Sequence, residues 1–366
     1  FRFSLRWLLL LPLFFAGLTL YTQAQPVIST VSPSRNTTAS ALSSNIVLTW
    51  SQPMSTATLT SGTVYVHGSM SGMYTTNAPF SYSGGNTIVT IDPMQNFKPG
   101  ELISVSVDTA QNAFGLETMP VVWSFLAAAQ SAEGNFSAAV NYAAGSSPRS
   151  VETGDLNRDG VLDLVLANAG SNNVSVLLGS GSGSFSAPTN YPTATGATVV
   201  RLADLDNDGD LDLVVANASS QFVSLLLNNG SGSFGTATNL NVGALVRSIA
   251  VGDFDGDGDI DIIATHDTFV ASFRNNGAAN FTFVNNYSAA NAAAYGVETG
   301  DFDGDGDLDL VVTDQTPTSN VIIRLNNGSG VFFIVIGYTA GATPYSIRTG
   351  DLDGDGDLDI VAANSS

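Results

Sequence analysis

DLNRDGVLD (Asp155–Asp163), DLDNDGDLD (Asp204–Asp212), DFDGDGDID (Asp253–Asp261), DFDGDGDLD (Asp301–Asp309) and DLDGDGDLD (Asp351–Asp359) are five copies of one nine-residue stretch. Their first aspartates lie 49, 49, 48 and 50 residues apart, and a fixed period of this length marks a repeat architecture. Oxygen-bearing side chains stand at positions 1, 3, 5 and 9 of each copy, with glycine at position 6. Carboxylates this close repel one another unless a cation lies among them, and a hard cation takes six to eight oxygens at roughly 2.3–2.6 Å. Glycine lets the chain turn sharply back toward such an ion, in a conformation that a side chain resists. The spacing predicts five calcium loops, up to five Ca²⁺ in all.

An acidic run can also be a solvated tail. Here, however, each run leads into an apolar segment, such as LDLVLAN, LDLVVAN or LDIVAAN, which a tail has no reason to keep. An EF-hand is excluded because it needs a bidentate glutamate at position 12 and flanking helices. Position 12 is Leu166, Val215, Ala264, Val312 and Ala362, and the flanks are β-branched and alternating. The ninth-position aspartate closes the loop instead. The expected ligands in the first loop are Asp155, Asn157, Asp159, Val161 and Asp163, a set one carboxylate short of the others. In the second they are Asp204, Asp206, Asp208, Asp210 and Asp212; in the third, Asp253, Asp255, Asp257, Asp259 and Asp261. The fourth offers Asp301, Asp303, Asp305, Asp307 and Asp309, and the fifth Asp351, Asp353, Asp355, Asp357 and Asp359. Position 7 is expected to give its backbone carbonyl, with its side chain directed away.

The charge balance is dominated by these loops. They hold 23 of the 32 acidic residues, and five divalent ions would reduce the formal charge from −21 to −11. That acidity argues against nucleic acid and anionic membrane surfaces as partners. With no cysteine in the chain, disulfides and thiol chemistry are excluded. A length of 366 residues predicts two or three units. Residues 1–24 begin with Arg2 and Arg6, continue through an apolar run from Trp7 to Leu20 and end in small residues at Thr22 and Ala24. This is the grammar of a signal peptide, so export is expected, with no membrane insertion after cleavage.

Residues 26–128 lack acidic loops. Short β-rich runs (NIVLTW, TVYVHG, TIVTI, LISVSV, VVWSF) recur between turn residues and predict a small antiparallel β-sandwich. Trp50 and Trp123 are expected in its core. The order PVISTVSPS, IVLTWSQPMS, TIVTIDP, FKPGELISVSVD, VVWSFLAA resembles the bacterial Ig-like domain of the surface-layer type, which implies a spacer or adhesive module. A small, polar linker is expected at 129–135.

From 136 to 366 each repeat opens with aromatics six residues apart: Phe136 and Tyr142, Phe185 and Tyr191, Phe281 and Tyr287, Phe332 and Tyr338. In the third repeat Leu240 follows Phe234. A strand runs into each acidic loop, another leaves it, and a third ends in turns such as NNGSGSF. About four strands per repeat predict radially packed propeller blades. The D-x-[DN]-x-D-G-x-x-D loops, five times over, resemble the FG-GAP or VCBS-type repeat found in integrin α-subunits and in many secreted bacterial proteins. The resemblance implies an all-β propeller, usually of seven blades, with a calcium loop between the first two strands of most blades. Four full repeats and part of a fifth would not close such a ring, so a longer parent chain is expected.

No catalytic group stands out. The chain has two histidines, His67 and His266, and one lysine, Lys98, too little for a Ser–His–Asp arrangement in the propeller. Three residues before the loops stand Glu152, Arg201, Ala250, Glu298 and Arg348. If that strand is innermost they line a central channel, where opposite charges pair with one another or bind a polar ligand such as a glycan. The expected function is a secreted or cell-surface binding or adhesion module for an extracellular protein or glycan. The non-catalytic part of a polysaccharide-active enzyme, or a structural spacer, is the alternative.

Overall fold

Runs of alternating apolar residues separated by glycine and asparagine turns leave the chain one economical way to bury itself, as twisted antiparallel sheets packed face to face. The computed structural model describes residues 25–37, 39–77, 79–129, 138–288, 294–315, 320–353 and 357–365. The expected signal peptide, most of the expected linker, and Asp355 lie outside the described residues. Among the described residues all 26 regular elements are strands. Among the described residues no helix is long and apolar enough to cross a membrane.

The first unit is a sandwich of two four-stranded sheets. One contains β1 (Ile28–Ser32), β2 (Ile46–Trp50), β5 (Ser81–Ser83) and β6 (Ile88–Ile91), in the order β1-β2-β6-β5. The other contains β3 (Val64–Gly68), β4 (Gly72–Met73), β7 (Leu102–Val107) and β8 (Val121–Leu126), in the order β4-β3-β7-β8. Alternate residues point inward, so β2 buries Ile46, Leu48 and Trp50 while Val47 and Thr49 are half-buried. Both Trp50 and Trp123 lie in this core, as expected.

Four blades follow. The first is β9 (Pro148–Gly154), β10 (Asp163–Asn168), β11 (Asn173–Leu177) and β12 (Thr189–Pro192). The second is β13 (Ala197–Ala203), β14 (Asp212–Asn217), β15 (Phe222–Leu226) and β16 (Thr238–Asn241). The third is β17 (Val246–Gly252), β18 (Asp261–His266), β19 (Phe269–Arg274) and β20 (Thr282–Ser288). The fourth is β21 (Ala294–Gly300), β22 (Asp309–Asp314), β23 (Asn320–Leu325) and β24 (Ile334–Thr339); a fifth sheet pairs β25 (Pro344–Gly350) with β26 (Asp359–Asn364). The first strands β9, β13, β17, β21 and β25 pack beside one another in sequence order, which makes them innermost in a β-propeller-like arrangement. Strands β14, β18 and β22 are buried along their whole length, as central strands covered on both faces must be.

The aromatic pattern has a structural reason that crosses repeats. Tyr142 meets Phe185, Tyr191 meets Phe234 and Tyr287 meets Phe332, each edge-to-face with centroids 5.3 Å apart. The tyrosine of one repeat thus docks on the phenylalanine of the next, a geometry that favours the ring quadrupoles. The outer strand of each blade comes from the opening of the following repeat, since Tyr191 lies in β12 and Leu240 in β16.

Candidate metal centres and the central channel

Every acidic loop is closed by the hairpin that carries it. Position 9 opens the second strand of its blade and pairs with the residue just before position 1: Asp163 with Gly154, Asp212 with Ala203, Asp261 with Gly252, Asp309 with Gly300 and Asp359 with Gly350. Position 6 is left-handed, with φ of 85°, 87°, 92° and 103° at Gly160, Gly209, Gly258 and Gly306. Position 4 is left-handed as well, at Arg158, Asn207, Gly256 and Gly304. The sequence carried that second signal, because position 4 is glycine or asparagine in four of the five copies.

These two turns point backbone amides at the side chains. The position-1 carboxylate accepts the position-6 amide: Gly160 to Asp155 and Gly209 to Asp204 at 2.9 Å, Gly258 to Asp253 at 3.0 Å and Gly306 to Asp301 at 3.1 Å. Position 9 joins two segments. Asp212 accepts the amides of Leu205 and Asn228, and Asp309 those of Phe302 and Asn326. Asn228, Asn275 and Asn326 in turn donate from Nδ2 to the carbonyls of Leu156, Leu205 and Phe254 in the preceding loops, at 2.7–2.8 Å. Sequence reasoning had read these asparagines only as turn residues.

Four loops bring the carboxylates of positions 1, 3 and 9 within 4.8 Å of one another: Asp204, Asp206 and Asp212; Asp253, Asp255 and Asp261; Asp301, Asp303 and Asp309; Asp351, Asp353 and Asp359. Among the described residues the position-5 aspartates stand outside these triplets. Asp159, Asp208, Asp257 and Asp305 each accept the position-7 amide of their own loop at 2.8–3.0 Å. Two position-7 side chains are held by position 4 of the preceding loop, Asp210 by Arg158 and Asp259 by Asn207. The first loop has Asn157 at position 3, and its Asp155 accepts the Lys98 ammonium at 2.8 Å.

Burial makes the triplets of the second, third and fourth loops electrostatically expensive. Loss of hydration, with the neighbouring carboxylates adding to it, pushes Asp204 and Asp253 up to about 6, Asp309 to about 7, Asp212 to about 8 and Asp261 to about 9. Asp204 Oδ1, Asp206 Oδ1 and Asp255 Oδ1 are buried without any hydrogen-bond partner. Buried carboxylate oxygens are ordinarily paired or on a metal. The donors are all hard oxygens, a set that could hold a hard divalent cation.

The sandwich lies over the loop end of the blades. Lys98 meets Asp155 and Arg35 meets Asp301, both at 2.8 Å. Main-chain bonds run from Asp155 to Met70 O and from Val122 to Gly306 O, each 2.8 Å. His67 Nε2 is 3.2 Å from Gly258 O. Buried Glu101 organises this edge by accepting the amides of Met70 and Lys98 and the Tyr74 hydroxyl. Beneath the sandwich a cavity of about 380 Å³ reaches to Arg201 and Glu298.

The residues three before each loop converge on the channel. Arg201 bonds Glu152 at 2.6 Å and Glu298 at 3.3 Å, and Arg348 bonds Glu298 at 2.5 Å. The opposite charges therefore pair with one another. His67, held by desolvation at about 4, and His266, whose ring meets that of Phe269 at a tilt of 54°, are both buried. Among the described residues neither hydrogen-bonds a carboxylate.

Comparison with known proteins places these features in a family. FG-GAP-like repeats match at residues 155–215, 204–264, 253–312 and 301–362, and a bacterial Ig-like domain matches at 22–127. No curated protein matches the chain. Among solved structures, a lectin of Agrocybe aegerita that recognises non-reducing terminal N-acetylglucosamine is similar at 18% identity and a TM-score of 0.44, over 82% of this chain and 84% of that one. The biofilm matrix protein Bap1 of V. cholerae is similar at 21% identity and 0.36, over 60% and 35%. The N-terminal part of the bacterial S-layer protein SbsC is similar at 11% identity and 0.24, over 60% and 44%. The FG-GAP-like matches together span 155–362, more than half of the 366 residues, and the chain belongs to the FG-GAP-like repeat family, with a bacterial Ig-like domain at its N-terminal side.

Proposed function

We propose that this chain is a calcium-stabilised binding module that works outside the cell, secreted or at the cell surface. The observation that carries this reading is the pair of buried triplets Asp204–Asp206–Asp212 and Asp253–Asp255–Asp261, in which three buried carboxylate oxygens have no partner. Calcium suits the all-oxygen donor set, the tight nine-residue loop and the extracellular setting. Positions 1, 3, 5 and 9 and the position-7 carbonyl would hold it, and its charge would offset the repulsion among the carboxylates. The basic-then-apolar leader, the absence of cysteine and the Ig-like domain support export. FG-GAP-like repeats and Ig-like domains are typically non-catalytic, and no catalytic residue is assigned here. The ligand is an extracellular protein or glycan, taken on the propeller surface that the sandwich leaves open.

A cation that binds only the folded state raises its stability by mass action. Thermal unfolding of the chain would be followed in calcium, in magnesium and in chelator. A rise in Tm specific to calcium is expected; unfolding indifferent to calcium would remove the basis of the reading.

A further inference from the structure

The end of the channel farthest from the acidic loops opens into a cavity of about 500 Å³. Its lining comes mainly from the innermost strands β9, β13, β17, β21 and β25. Four of the chain's eleven basic residues, Arg149, Arg201, Arg247 and Arg348, face it. In a chain of formal charge −21, that is a pronounced local reversal. Three carboxylates answer them. Arg201 pairs with Glu152 and shares Glu298 with Arg348, and Arg247 bonds Asp267 at 2.7 Å. Arg149 is exposed and forms no ion pair among the described residues. Arg348 spends one nitrogen on Glu298 while its side chain remains 66% exposed.

Two aromatic rings complete the rim. Tyr295 and Tyr345 stand 5.4 Å apart, and the Arg247 guanidinium lies 5.2 Å from the Tyr295 centroid. Tyr345 is 57% exposed. Exposed tyrosines present a flat apolar face together with a hydroxyl, which suits the C–H face and hydroxyls of a sugar ring. A guanidinium fork suits a carboxylate. The volume is that of a site for a small molecule or a chain end rather than for a protein surface.

We propose that this channel mouth binds the acidic end of an extracellular glycan, with Arg149 and Arg348 gripping a uronate carboxylate and Tyr345 packing against its ring. The proposal rests on the reading of the chain as a binding module and names its site and ligand class. The test is calorimetric titration of the calcium-loaded full chain with a tetrasaccharide of alternating glucuronic acid and N-acetylglucosamine. Its carboxyl-reduced form and a tetraglutamate peptide are the comparators. Binding of the acidic tetrasaccharide is expected, weakened about tenfold by carboxyl reduction, by Arg149→Gln and by Tyr345→Ala, since each removes a charged hydrogen bond or a stacked ring. Added salt should weaken it further. Both variants should keep the wild-type Tm in calcium, because both side chains are exposed. Equal affinity for the peptide, indifference to both substitutions, or no binding of the tetrasaccharide overturns the proposal. A calcium-dependent Tm in the same samples, together with glycan or protein ligands that bind wild type and variants alike, would leave the broader reading standing.

Discussion

Calcium binding at pH 7 should release protons, although carboxylates ordinarily have none to release at that pH. Burial holds Asp212 at about 8 and Asp261 at about 9, so both are largely protonated at pH 7 without metal. Asp257 and Asp309, at positions 5 and 9, are each pushed up to about 7, again mainly by burial, and are half protonated. Two nearly full protons and two halves amount to roughly three protons per chain that a divalent ion must displace. Were these groups at an ordinary value near 3.9 the release would be about a thousandth of that. The energetic scale is large. Asp212 is 1% exposed, and its rise from 3.8 to about 8 corresponds to roughly 6 kcal/mol at ~1.4 kcal/mol per unit, a sizeable part of a domain's whole stability. The assay is calorimetric calcium titration at pH 7 in two buffers of different ionisation enthalpy, whose difference in observed heat gives the proton count. A count near zero would refute the argument that these carboxylates share buried, uncompensated sites. The same groups fix the sign of the pH dependence in chelator. Their folded values exceed their unfolded ones, so the folded state binds the extra protons. That stabilisation is complete below about pH 4 and is lost as pH rises through about 6 at Asp204 and Asp253 to about 9 at Asp261. The Tm in chelator should therefore fall from pH 5 to pH 9, and saturating calcium should abolish that fall.

Two further predictions concern the seam between the sandwich and the blades. Lys98→Met removes the cation that meets Asp155 from a side chain only 19% exposed and should cost about 1–2 kcal/mol; scattering should report a larger radius of gyration, and unchanged dimensions would mean that Lys98 does not fasten the sandwich. Gly258→Ala should be much worse than Gly160→Ala: both glycines are left-handed, but a Cβ at 258 would sit 2.2 Å from the Tyr65 ring whereas nothing lies within 4 Å at 160. Chemical denaturation should give about 1–2 kcal/mol at Gly160 and several kilocalories at Gly258, and equal costs would mean that Tyr65 is not seated on the third loop.

What the sequence disclosed and what it withheld divide along one physical line. Features made in every repeat leave a period, and a period is legible: the Asp–Gly spacing, the strands that enter and leave each loop, and the channel column at Glu152, Arg201, Glu298 and Arg348. Even the cross-repeat tyrosine docking left its trace as a fixed interval, although an interval cannot say whether Tyr191 meets Phe185 behind it or Phe234 ahead. Contacts made once have no period. Lys98 meets Asp155 across 57 residues and Arg35 meets Asp301 across 266, and neither partner is marked by spacing or composition. The pairing of Arg201 with Glu298, 97 residues away past the neighbouring blade, likewise has no period, although both positions do. The asparagine staple stands between these cases. Asn228, Asn275 and Asn326 recur at repeat spacing, yet a turn explains an asparagine before a glycine well enough to hide that Nδ2 also fastens the preceding loop. Those bonds tie each of the first three loops to the next blade, so opening one loop should loosen its neighbours as well. The first four loops are thus less independent sites than one seam along the propeller edge, with the sandwich resting on it.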